Sequence, residues 1–377
     1  MFGKFMNNYY YGKSGKGDYT PEDLPRTRMQ LFWEMLHTRL SALMRLNLIY
    51  ILPWIPTLIV AGMFYTHSIS VVNYPYQVDA ILQEINTGEM QADGSVVITA
   101  EDGAVTTYDA VTIAKLHEVD AFSDEEVAAM TVQELQRYVL MALLALIPAI
   151  AITGPWTAGV AYVTRNWARD EHAFLWSDMK DAMKENWKGA LALSGITSVL
   201  PIVVYLCWIF YGQQPADSPL MEILLTLGQM IPVMVGVIWA LAITYAYPML
   251  VTYKMNLRTV IRNSLILAVG RLPLSVGVRL LHCVPLALGI FGALFINSVW
   301  PPLILLLYYI LFGYAFSRFI TASYTNAQFD KYINSRIEGA KVNQGLADEE
   351  DDDEDEEDEE RPLRPWENGY ASQDPQE

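Results

Sequence analysis

The stretch Met221–Tyr253, MEILLTLGQMIPVMVGVIWALAITYAYPMLVTY, carries one charged side chain, Glu222, in 33 residues. A helix apolar on every face for that long belongs in a bilayer, whose hydrocarbon core of about 30 Å is crossed by about 20 residues. At about 1.5 Å per residue it would reach about 50 Å, so it is expected to tilt or to break at Pro232 or Pro248. Working outward, the runs 43–65, 138–163, 189–211, 274–296 and 300–318 meet or approach the same length. The reading is an all-α membrane protein, a six-span helical bundle.

The basic residues sort with these spans. Of 25 Lys and Arg, all but Lys115 and Arg137 flank one face of the bundle; the two exceptions lie between the first and second spans. The positive-inside rule makes that face cytoplasmic and puts both termini on it. The first 40 residues hold no apolar core followed by a small-residue cleavage site, so insertion is expected to begin with the first span.

Composition agrees, with 53% hydrophobic residues, 10 Trp, 22 Tyr and a mean hydropathy of +0.20. The net charge of −17 is concentrated in two segments. Residues 67–137 carry 13 acidic and 2 basic residues, and residues 348–377 carry 16 acidic and 2 basic, which leaves the membrane body positive. That inner face suits anionic lipid headgroups. The unbroken acidic run Asp348–Glu360 repels itself and buries nothing, so a disordered tail is expected from 348 to 377.

The polar segments between spans differ in kind. Residues 1–42 read as a cytoplasmic lead-in with an interfacial helix over 24–42, Phe32, Met35, Leu36 and Leu40 sharing its apolar face. Amphipathic cytoplasmic connector helices are expected at 166–188, with Trp176, Met179, Met183 and Trp187 on one face, and at 256–272, with Leu257, Val260, Ile261, Leu265, Ala268 and Leu272 on one face. A further cytoplasmic helix is expected over 323–347. This use of span, connector, span twice suggests an internal duplication. The insertion 66–137 is expected to face outward and to contain a β-hairpin over Ser95–Tyr108, turning at Glu101-Asp102-Gly103, between helical flanks at 76–86 and 123–137.

Candidate chemistry is sparse. Gly12-Lys13-Ser14 resembles a phosphate loop, but Asn7 stands where its first glycine is required and no strand precedes it. Cys207 and Cys283 fall inside spans without ligand neighbours, so neither a disulfide nor a metal site is expected. No paired intramembrane acids and no serine with a plausible base occur, so no catalytic residue and no cofactor is assigned. Two sets remain: Trp176, Met183, Lys184, Asn186, Trp187, Lys188, Arg262 and Arg271 for docking a partner at the connectors, and Gln229, Arg279 and His282 as an intramembrane polar site.

Further residues carry a resemblance. Met1-Phe2-Gly3-Lys4-Phe5 through Tyr9-Tyr10-Tyr11, Gly154-Pro155 to Tyr162, Asp178 to Lys188 with Ala182, Asn186 and Lys188, and Tyr247-Pro248-Met249-Leu250 followed by Asn263 and Arg271-Leu272-Pro273 resemble the YesL-like membrane family of Gram-positive bacteria. The resemblance covers most of residues 1–335. It implies a multi-pass plasma-membrane protein that accompanies ABC-type sugar importers. The expected function is therefore a non-enzymatic accessory component of carbohydrate uptake. Its partners would be the lipid bilayer and possibly importer subunits, with no nucleic acid. The alternatives are a self-sufficient small-solute transporter, with a path near Pro232, Gln229, His282 and Pro285, and a membrane sensor that uses the outer insertion. The acidic insertion and acidic tail depart from the family pattern.

Overall fold

The computed structural model describes residues 24–99, 104–296 and 300–347. Gly12-Lys13-Ser14, the hairpin turn 101–103 and the acidic tail lie outside them. Helix α1 (Arg28–Ile51) starts with a capping box, in which Thr27 accepts from the Gln30 amide and Gln30 reaches back to the Thr27 amide. A 3₁₀ turn at Leu52–Trp54 joins it to α2 (Ile55–Ile85). The chain therefore changes course where Pro53 and Pro56 remove two helical donors, and not at residue 42 as expected.

The acidic insertion is built on membrane helices. Helix α2 runs through Pro75 to Ile85, and α4 (Asp124–Ala151) starts beyond Ser123, so both flanks are uninterrupted extensions of the first two spans. Between them β2 (Val96–Thr99) pairs antiparallel with β3 (Val105–Tyr108), Val96 opposite Tyr108. This is the expected hairpin. A two-residue strand β1 (Glu89–Met90) and helix α3 (Ala110–Asp120), capped by Asp109, were not foreseen. Val78, Leu82, Ile85, Val96 and Leu116 close a small apolar core of its own.

The remaining spans follow as α5 (Thr153–Trp167), α6 (Ser177–Gly212), α7 (Pro219–Thr252), α8 (Leu257–Gly270), α9 (Leu272–Ile296), α10 (Trp300–Tyr308), a π-helical turn at Tyr309–Gly313, and α11 (Tyr314–Tyr332). Among the described residues, six helical segments are long and apolar enough to cross a membrane. The protein is a multi-pass integral membrane protein.

Three expected boundaries are corrected. The connector at 166–188 is not a separate helix: a loop over 168–176 leads into α6, which continues through 188 into the span. The connector at 256–272 is discrete, because Pro273 has no N–H for the helical ladder and its ring crowds the Val269 carbonyl, and the chain breaks at Arg271, φ −121°. The two halves thus differ where a duplication would have matched them. The helix expected over 323–347 is the end of α11 and stops at Tyr332; only a 3₁₀ turn at Asn334–Arg336 follows.

The long fourth span neither breaks at Pro232 nor at Pro248. Its residues up to Ala240 are exposed or half-buried, whereas Leu241, Ala242 and Thr244–Leu250 are buried in protein. About 22 residues thus face lipid, enough for about 33 Å, and the rest enters a core beyond the bilayer. Two buried clusters fill that core. One packs Leu31, Met35, Leu43, Leu46 and Tyr50 of α1 against Val163, Trp167, Met179 and Phe319; the other packs Tyr245, Met249, Val260 and Phe329. The basic segments surround this end, here called the basic pole. Helix α1 therefore buries one face on α5 and α11, and leaves Leu40 of the expected apolar face exposed.

Candidate functional site

The docking set divides among three places. At the start of α6, Trp176, Lys184, Trp187 and Lys188 point outward, with Trp176 51% and Trp187 48% exposed. Lys188 Nζ sits 5.6 Å from the Trp187 ring centroid, a cation–π pair. Lys184, Trp187, Met183 and Pro155 line a cleft of about 440 Å³. Met183 is half-buried, and Asn186 spends its amide on the Ala182 carbonyl at 3.0 Å, so neither belongs to the outward face. Arg262 is exposed on α8, whereas Arg271 packs on the Tyr332 ring.

The helices that carry this face are held by a close crossing. A side chain at Gly154 would collide with Ser194 Oγ and the Ala190 carbonyl, and one at Gly159 would meet the Met179 carbonyl at 2.8 Å. The glycines bring α5 against α6, and Ser194 donates to the Ala151 carbonyl at 2.6 Å across the same seam.

The intramembrane set does not converge on one site. Gln229 donates to the Trp208 carbonyl at 3.0 Å, Arg279 donates to the Ala240 carbonyl, and His282 Nε2 lies 3.0 Å from the Ser317 carbonyl. Arg279 lines a groove of about 760 Å³ between α4, α6 and α7. His282 and Pro285 line a different one of about 730 Å³, walled by Phe32, Trp33, Tyr308 and Phe316.

Two polar centres were missed by the sequence reading. Asn47, fully buried on α1, donates to the Tyr309 and Ile310 carbonyls at 2.9 and 2.7 Å and accepts from the Ala315 amide at 2.8 Å. A π-helical turn misaligns the backbone ladder, and Asn47 supplies the partners that the turn lacks. The lone amide within Leu43–Tyr50, which is apolar but for Asn47 and Arg45, was the available signal. Asp330, buried at the end of α11, accepts from Arg28, from Asn334 Nδ2 at 2.6 Å and from the Asn343 amide at 3.3 Å. Tyr253 donates to Asn334 Oδ1 at 2.7 Å, which ties in the end of α7. The segment after α11 then returns to the first residues described, the Ala347 amide donating to the Pro25 carbonyl at 3.1 Å. Long-range pairs of this kind have no periodicity to betray them.

Comparison of the chain with protein-family models, with curated proteins and with solved structures finds no match.

Proposed function

We propose that this chain is a non-enzymatic accessory component of an ABC-type carbohydrate importer, lying in the plasma membrane with its basic pole and both termini in the cytoplasm. The observation that carries the reading is the outward Trp–Lys ridge at the base of α6. Tryptophan is over-represented among interface hot spots, and the two lysines beside it add charge that can steer a partner. Trp187 lies where the apolar run of α6 begins, a usual place for a membrane-interface aromatic. Trp176 stands eleven residues earlier, about 16 Å farther along the axis, beyond the reach of that belt. The YesL-like resemblance supplies the class of partner.

The test is affinity purification from native membranes in mild detergent, alongside uptake of the cognate sugar. Lys184→Glu with Lys188→Glu and Trp187→Ala is expected to lose permease and ATPase subunits and to lower uptake, at unchanged abundance in the membrane. Uptake and recovery equal to wild type would overturn the assignment.

One observation favours a second reading, a self-sufficient transporter: the aromatic-walled groove beside the π-helical turn contains His282 and Pro285. Purified protein in liposomes would then move solute without an ATPase, and His282→Ala would abolish the flux. Failure across a sugar panel would exclude it.

A further inference from the structure

A cluster of cations without counter-ions sits at the base of α9, apart from the ridge on α6. The Arg271 guanidinium lies 5.4 Å from the Tyr332 ring centroid, and Lys331 Nζ lies 5.8 Å from the same ring. Arg271 and Arg336 line a cavity of about 470 Å³ with Asn263, Ile266, Leu267 and Tyr332. Among the described residues, no carboxylate forms an ion pair with any of the three cations. Of the carboxylates nearest in sequence, Asp330 is already engaged by Arg28, Asn334 and Asn343, and Glu338 is exposed and in no ion pair among the described residues. Arg271 Nε is buried and has no hydrogen-bond partner, although each guanidinium donor left dry is costly. Two guanidinium charges lining one cavity, with a third cation on the Tyr332 ring beside it, repel one another unless an anion joins them.

The position indicates which anion. Arg271 immediately precedes the span Leu272–Ile296, so the cavity stands at the end of a membrane crossing, where lipid phosphates lie. An apolar surface continues from it: Ile266, Val269, Leu272 and Leu274 are all exposed. Free phosphate would use the cations alone; a phospholipid would use both surfaces, its phosphate among the cations and its acyl chains along the apolar side.

We infer that this cavity binds the phosphate headgroup of an anionic phospholipid from the leaflet at the basic pole. Arg271 and Arg336 hold the phosphate oxygens, and the second Nδ2 hydrogen of Asn263, whose first is directed at Met255 Sδ at 3.8 Å, adds a neutral donor. The Arg271 guanidinium is held over the Tyr332 ring, which restricts it before a lipid arrives.

The experiment is native mass spectrometry of the purified full-length protein in detergent, titrated with phosphatidylglycerol, with phosphatidylcholine, and with phosphatidylglycerol in the presence of inorganic phosphate. Phosphatidylglycerol is expected to bind in preference to phosphatidylcholine, and inorganic phosphate is expected not to displace it. Arg271→Gln and Arg336→Gln should each weaken binding roughly five-fold, while Arg258→Gln, an exposed cation elsewhere on α8, should change it little. Arg336 is exposed, so its variant remains informative if Arg271→Gln fails to fold. Displacement by inorganic phosphate would replace the lipid with a free anion and overturn the inference, as would equal binding by wild type and both variants. None of these residues belongs to the α6 ridge, so loss of lipid and loss of importer subunits are separate results.

Discussion

At the scale of single residues, two buried polar side chains hold the last span to the first helix. Asn47 makes three hydrogen bonds to the backbone of the π-helical turn and the residue just past it, at Tyr309, Ile310 and Ala315. Asn47→Leu leaves those groups dry and is expected to cost about 1–3 kcal/mol, read as a lower midpoint of thermal unfolding in detergent. An unchanged midpoint would mean that the turn needs no partner. Asp330→Ala leaves Arg28 without its carboxylate. Because the Arg28 side chain is 26% exposed and can find water, the expected loss is about 2 kcal/mol, below that of a fully buried pair. Neither residue was legible in the sequence beyond its type, since the partners of Asn47 and the Arg28 partner of Asp330 lie 262 or more positions away. Arg271 was legible as a basic residue at a connector, but its place on Tyr332 depends on how α11 ends.

At the scale of elements, helix type was written in the apolar runs, and helix ends were set by features that the runs do not report. Pro273 breaks the chain between α8 and α9, whereas 188–189 has no proline, and α6 continues. The hairpin was legible because its strands are rich in β-branched residues and flank a turn signal; β1, with two residues, and α3 were too short or too weakly patterned to stand out. The α5–α6 crossing gives a sharp test. Gly154→Ala places a methyl against a carbonyl and is expected to cost about 1–3 kcal/mol, with a lower yield of monodisperse protein, whereas Gly195→Ala on α6, with open space around it, should be neutral.

The insertion carries its own dependence on pH. Asp109 caps α3 through the Thr112 amide, Asp93 accepts from Ser95, and Glu126 accepts from Ser123, each hydrogen bond holding its carboxyl below the ordinary value of 3.8 for Asp or 4.5 for Glu. Folding thus favours the deprotonated forms. Their stabilisation is complete above the ordinary values and is lost as pH falls through the lower folded ones. Amide exchange at Val96–Thr99 and Val105–Tyr108 should therefore be steady from pH 7 to about 5 and accelerate below about 4, after correction for the intrinsic rate. Acceleration already near pH 6 would point to some other group.

At the scale of the whole molecule, the protein is organised in three tiers along the membrane normal. The acidic insertion has a small core, the middle tier exposes apolar side chains to lipid, and the basic pole contains the two large buried clusters. This division explains why a 34-residue helix fits a bilayer of ordinary thickness without breaking: its last turns lie in protein, not lipid. The six spans and their basic flanks were legible because bilayer solvation acts on composition, which a sequence states directly. The core at the basic pole was not, because its residues read as the ends of spans or as connectors until α1 and α11 are folded over them.

The central claim is that six spans separate an insertion pole from a basic pole, where the first and last described segments meet at Pro25 and Ala347. It is tested most directly by single-cysteine labelling in intact cells, with Cys207 and Cys283 replaced by Ala. Gln91→Cys and Asp217→Cys are expected to react with an impermeant maleimide in intact cells, and Glu185→Cys and Ser335→Cys only after permeabilisation. Labelling of Glu185→Cys together with Asp217→Cys in intact cells, or protection of Gln91→Cys, would contradict the account.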